Sequence, residues 1–183
     1  MRLNPRIKYN HVVLVNYKKD VFAEYSKDLS LLGIRIKNGE LRNLEIGTEV
    51  SIDLELDGNG NVRLNSYLYR KDEQNLVFKF KEPPEKLAQT VGRYIKKVSY
   101  SILKCPYCGN KISYSDSNCP SCLLDLNIDN PNLVKILQEI NIQKLIKNLI
   151  ENNDKEIKAE CQIKENNIEM IGTSKKMLQV FNL

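Results

Sequence analysis

The sequence predicts a mainly β chain with added α structure: a small antiparallel β-barrel, a helix behind it, a compact four-cysteine module and an α-helical connector. Three observations carry that prediction. Short segments of the first half alternate apolar and polar residues, as half-buried strands do. Four cysteines fall in two C-x2-C pairs near the middle of the chain. Beyond them, apolar residues recur at helical spacing. A chain of 183 residues is long enough for one ordinary domain or two small ones.

Residues 7 to about 82 read as β structure. An apolar strand runs from His11 to Tyr17 and is followed by a polar stretch. Gly33–Lys37 and Val50–Leu56 alternate cleanly, and Asp57-Gly-Asn-Gly-Asn61 is a strong hairpin turn. Val62–Tyr69 and Val77–Lys81 supply two further strands. Strands of this kind joined by short turns suit a barrel, which closes its own edges. Pro83 and Pro84 stop the last strand, and proline is tolerated in the first turn of a helix. Leu87, Val91, Tyr94, Ile95 and Val98 then form one apolar stripe, expected to pack on the barrel.

Cys105-Pro-Tyr-Cys108-Gly109 and Cys119-Pro-Ser-Cys122 are separated by ten residues. Two such turns bring four thiolates into a tetrahedron, the geometry of a structural zinc ion. All four positions are filled by protein, and no general base lies nearby, so a structural and not a catalytic metal is expected. The module looks like a zinc ribbon with ligands Cys105, Cys108, Cys119 and Cys122. Few basic residues flank it, which favours a spacer over a nucleic-acid contact. Cys161 is expected to be an ordinary free thiol.

From Asn130 the texture becomes helical. Asp129 or Asn130 can cap the helix and Pro131 suits its first turn. Leu133, Ile136, Leu137, Ile140, Leu145, Ile146, Leu149 and Ile150 form a stripe with one phase shift. That stripe needs a partner, which the barrel, another helix or a second copy of the chain would supply. The expected partner is the second copy, giving a homodimer through the 131–150 helix. Residues 153 to 168 are charged and Asn-rich and read as a linker.

One further pattern bears on function. Arg2 and Arg6 stand four residues apart at the N-terminus, and Asp28, Ser30 and Gly33 follow the first strand at fixed offsets. Arginine binds phosphate bidentately and stacks on bases through its flat face. Asp28 can accept from the two donors of a guanine edge, Ser30 adds a hydroxyl, and Gly33 permits unusual dihedrals or close ligand approach. By themselves the last three also suit a β-turn. Taken together, R-x3-R followed by [D/N]-x-S-x-x-G resembles the PilZ domain, a bacterial receptor for cyclic di-GMP. The resemblance implies a six-stranded antiparallel barrel with a helix behind it. It also implies a ligand clamped between the N-terminal tail and the barrel by Arg2, Arg6, Asp28, Ser30 and Gly33, the tail ordering on binding. Arg2 is the second residue, so contacts made in the family by residues ahead of the first arginine are almost wholly missing.

The end of the chain carries a shorter resemblance. Ile171, Gly172, Ser174, Met177 and Val180 match an I-G-x-S-x-x-M-x-x-V segment at the start of the AAA+ domain of bacterial sigma-54-type enhancer-binding activators. No phosphate-binding G-x4-G-K-[ST] loop accompanies it, so the ATPase itself is not in this sequence.

Composition fits this reading. Hydrophobic residues at 42% permit a core, and a net charge of +5 suits an anionic ligand but is too mild to argue for nucleic acid. No apolar run reaches membrane-spanning length and no signal peptide precedes the first strand, so a cytoplasmic location is expected. His11 is the single histidine and no acid–base or nucleophilic set accompanies it, which argues against an enzyme. The expected organisation is a ligand-binding barrel over 1–100, a ribbon over 101–128, a connector over 129–167, and the start of an activator domain over 168–183. The function expected is a cyclic di-GMP receptor that signals to a downstream AAA+ or other effector, acting in transcription regulation. The alternatives are a ligand-free interaction scaffold built on ribbon and helix, or a zinc-ribbon nucleic-acid binder.

Overall fold

The computed structural model describes residues 3–56, 61–143 and 146–147. Seven strands follow one another: β1 (Arg6–Lys8), β2 (Val12–Tyr17), β3 (Asp20–Ser30), β4 (Gly33–Lys37), β5 (Glu49–Glu55), β6 (Asn61–Lys71) and β7 (Asn75–Phe80). The sheet order is β1-β3-β2-β5-β6-β7-β4, and β4 pairs back onto β3. Strands β2 to β7 therefore close a six-stranded antiparallel barrel. One edge of β3 is shared, since β2 pairs with Asp20–Tyr25 while β1 pairs with Asp28–Ser30.

Two differences from the sequence reading concern this strand and its partner. The polar stretch after Tyr17, to which the sequence reading assigns no strand, is most of β3. Arg6, expected in a free tail, opens β1 opposite Ser30. Arg2 and residues 57–60 of the expected hairpin turn lie outside the described residues.

Alternation fills the barrel as expected. Val15, Leu29, Ile36, Ile52, Leu64 and Phe78 are fully buried within one core. Each such side chain contributes roughly 1.5–3 kcal/mol by leaving water. The helix follows on schedule: α1 (Pro84–Leu87) passes through a π-helical turn (Ala88–Gly92) into α2 (Arg93–Ser101). Leu87, Val91 and Ile95 are completely buried against the barrel, and Tyr94 and Val98 pack beside them.

The chain divides into two compact units, 1–138 and 139–183. In the first, the cysteine module and the segment after it sit with the barrel. A Cβ at Gly92 would meet the Ile128 carbonyl oxygen at 2.6 Å, so glycine lets that segment lie on the helix. Lys96 Nζ reaches Asp129 Oδ1 at 2.7 Å beside this contact. Residues 131–138 are helical; Val134 and Leu137 are buried in the barrel core with Ile128, and Leu133 packs against it. Gln138 Nε2 donates to the Glu82 carbonyl at 3.1 Å. Leu133 and Leu137 of the connector stripe thus pack on the barrel of their own chain.

In the second unit, residues 139–143 and 146–147 are helical, with Ile142 and Ile146 exposed. Leu145, Leu149, Ile150, the linker with Cys161, and the 168–183 tail lie outside the described residues. No described helix is long and apolar enough to cross a membrane.

Gly33 shows how tightly the barrel closes. A Cβ there would stand 2.2 Å from the Phe78 carbonyl oxygen, because β4 and β7 pair at this point. Gly33→Ala is therefore expected to cost about 1–3 kcal/mol through forced backbone displacement, read as a lower thermal unfolding midpoint for the purified chain.

Candidate ligand pocket beside a four-cysteine centre

The loop between β3 and β4 is only Leu31-Leu32, with Ser30 paired to Gly33. That tight hairpin fixes the register and sets Asp28 opposite Arg35. On the other edge of β3, Lys8 of β1 stands opposite the same aspartate. Asp28 is buried, and a buried carboxylate needs partners. Arg35 donates to Asp28 Oδ2 from Nε at 2.6 Å and also from Nη2, while Arg6 Nη1 approaches Oδ1 at 3.4 Å. Two guanidinium groups from β1 and β4 thus meet on one carboxylate of β3.

These residues border a cavity of about 600 Å³. Arg6, Lys8, Lys27 and Arg35 supply four cationic residues, with Asp28 the one carboxylate among the described lining residues and Asn10 also on the wall. Such a basin favours an anion carrying hydrogen-bond donors for the aspartate. A carboxylate has about four acceptor positions, so Asp28 keeps capacity beyond its arginines.

Of the expected ligand residues, Arg6 and Asp28 line this cavity together; Ser30 and Gly33 do not. Ser30 Oγ donates to the Gly33 carbonyl at 2.8 Å and is buried, which ties down the hairpin. Gly33 is required by the approach of β7, as described above. Both act on the cavity by fixing the register that brings Asp28 and Arg35 together. Lys8, Lys27 and Arg35 were not anticipated. The signal for Arg35 was the two-residue loop, since Ser30 opposite Gly33 forces Asp28 opposite residue 35. His11 is exposed and stacks on Tyr9 with ring centroids 4.5 Å apart, a structural role.

The opposite wall of the cavity is the first cysteine turn, Cys105 to Gly109. The Arg6 backbone N–H donates to the Pro106 carbonyl at 2.9 Å, so this turn is joined to the outer edge of β1. The two C-x2-C turns repeat one another with an offset of fourteen residues. Gly109 N–H donates to Cys105 O, and Leu123 N–H to Cys119 O, both at 2.8 Å. Cys105 N–H donates to Asn110 O and Cys119 N–H to Leu124 O in the same way. The residue after each second cysteine is left-handed, Gly109 at φ +81° and Leu123 at φ +61°.

The four ligand sulfurs lie within 4.8 Å of one another. Cys105 Sγ is 3.8 Å from Cys122 Sγ, and Cys108 Sγ is 3.7 Å from Cys119 Sγ. A tetrahedral ion with metal–sulfur bonds of about 2.3 Å spaces its sulfurs about 3.8 Å apart, so the thiols present fit such an ion. Burial pushes the Cys105 thiol up to about 12. Burial opposes ionisation at Cys119 too, but N–H donors of Cys122 and Ser121 outweigh it and bring that thiol down to about 7. Tyr107, Ile112 and Leu126 form the small core of the module, with Tyr100 of α2 against it.

Comparison with known proteins now decides the family. The PilZ domain model matches residues 1–97, over half of the chain. The chain belongs to the PilZ family. PilZ is a regulatory, ligand-binding domain and not a catalytic one. Among solved structures, the PilZ domain of CeSA from a cellulose-synthesizing bacterium is 22% identical, with a TM-score of 0.45 over 52% of this chain and 98% of that one. The Bacillus subtilis inhibitor of motility is 13% identical, with a TM-score of 0.43 over 53% of this chain and 50% of that one. No curated protein matches the chain.

Two outcomes are expected for the cysteine module. Cys108→Ser should abolish stoichiometric metal binding, measured by elemental analysis, and lower the stability of the module, because a structural metal contributes folding free energy directly. Leu123→Gly should raise stability by about 1 kcal/mol in thermal unfolding, since left-handed backbone costs a non-glycine residue roughly 1–2 kcal/mol and this leucine is largely exposed.

Proposed function

We propose that this chain is a cyclic di-GMP receptor module that passes the second-messenger signal to a downstream effector. The observation that carries the reading is the basic cavity in which Arg6, Arg35 and Asp28 meet. The ligand is a dianion bearing two guanines, and it matches that chemistry part by part. Its phosphates suit the guanidinium and ammonium groups, and a guanine edge offers two donors to Asp28. Arg2, four residues ahead of Arg6 in the sequence, would add a second guanidinium from the N-terminal segment. Ser30 and Gly33 would serve by keeping the hairpin that sets Asp28.

Nothing in this action is catalytic. A ligand shifts a conformational equilibrium only by its differential affinity for the two states. Here the two states would differ in how the N-terminal segment and β1 sit over the pocket, and the cysteine module, holding zinc, would feel the change through its bond to β1. The helix from residue 131 onward would carry it to an effector. The short likeness of Ile171, Gly172, Ser174, Met177 and Val180 to enhancer-binding activators makes a transcriptional ATPase in the cytoplasm the proposed recipient, with pairing of the connector helix between two copies as a means of transmission.

The test is calorimetric titration of the zinc-loaded chain with cyclic di-GMP, beside Arg6→Ala and Arg2→Ala/Arg6→Ala variants. Saturable binding is expected, and Arg6→Ala should weaken it by about 1.5–3 kcal/mol, the worth of a charge-assisted contact, with only a modest fall in unfolding midpoint because Asp28 keeps Arg35 as a partner. Absence of heat from the unaltered chain would move the reading to an interaction scaffold.

A further inference from the structure

We infer that the first cysteine turn is the second wall of the dinucleotide pocket, so that metal loading and ligand binding form one linked equilibrium. The inference rests on the receptor reading above and goes beyond it, because the PilZ match ends at residue 97 while this wall lies at Cys105–Gly109. Three observations support it. The cavity is bordered by Arg6, Asp28 and Arg35 on the barrel and by Pro106, Cys108 and Gly109 across from them. Arg6, which lines the cavity from β1 beside Lys8, also binds the turn through its backbone N–H to Pro106 O at 2.9 Å. Cys105 and Cys108, the two cysteines of this turn, supply two of the four sulfurs that fit one metal ion.

The physical consequence is direct. With the metal in place, the turn is fixed by two metal–sulfur bonds, and the pocket has a rigid far wall and a fixed β1 edge. Without it, Cys105–Gly109 loses the constraint that places Pro106 O against Arg6. A ligand seated between barrel and turn contacts both walls only in the metal-held arrangement. Coupling between two binding events is reciprocal, so the ligand must then retain the metal by the same factor by which the metal strengthens the ligand.

Two arms test this on the full chain. In the first, cyclic di-GMP is titrated into zinc-loaded and chelator-treated protein, and zinc release to a chromogenic chelator is timed with and without the dinucleotide. At least about tenfold weaker binding without metal, and correspondingly slower release with ligand, are expected. Chelation also removes folding free energy, so the second arm keeps the metal. Gly109 is left-handed with nothing within 4 Å of a built Cβ, which suits Asn and Asp equally. At equal zinc content, Gly109→Asp should bind the dianion at least several-fold more weakly than Gly109→Asn, a gap that narrows with added salt. Equal affinity of the two variants, or of loaded and metal-free protein, overturns the inference and leaves the receptor reading standing. No binding by the loaded, unaltered chain overturns both.

Discussion

The buried carboxylate of Asp28 is the constraint on which the cavity end of this barrel depends. Removing an ion from water is costly unless opposite charge and hydrogen bonds meet it. Arg35 on one neighbouring strand and Arg6 on the other supply them. Three strands are thereby held in one arrangement at the same point, and the same arginines are left edge-on to a cavity. The Ser30–Gly33 hairpin is the device that makes the meeting possible, and the close approach of β7 to Gly33 holds the hairpin in place. The contacts that join the strands thus also shape the cavity.

Much of this was legible in the sequence, and the exceptions share a cause. Strands β4 to β7 and the helix were visible because their buried positions are apolar. Strand β3 was not, because its pattern is inverted in its central part. Glu24, Ser26 and Asp28 are buried there, whereas Val21 and Tyr25 are exposed. Each buried polar group has a specific partner: Glu24 accepts from the Glu40 N–H, Ser26 Oγ donates to the Tyr9 carbonyl, and Asp28 holds its arginines. Periodicity reads hydrophobicity and is blind to polar groups that are satisfied by residues far along the chain. The same limit applies to β1, whose three residues are strand by virtue of β3 alone.

The cysteine module illustrates a second limit. Its four-cysteine cluster followed from spacing, but its place beside the barrel did not, since no local pattern announces that Pro106 will accept from Arg6. The connector helix behaves alike. Its stripe was plain, yet whether Val134 and Leu137 would face their own barrel or another copy depended on Gly92 opening a seat for residues 128 and 129. Sequence patterns declared which faces are apolar, and glycines placed at close approaches decided what those faces touch.

The fourteen-residue repeat within the module has a consequence of its own. Its halves share hydrogen bonds and fold path but not strain, because one bears glycine and the other leucine in the left-handed position. Four thiols that fit one ion would hold both halves alike. Were such an ion to leave, relaxing the left-handed leucine would reward the second half, with no equal reward at Gly109 in the first.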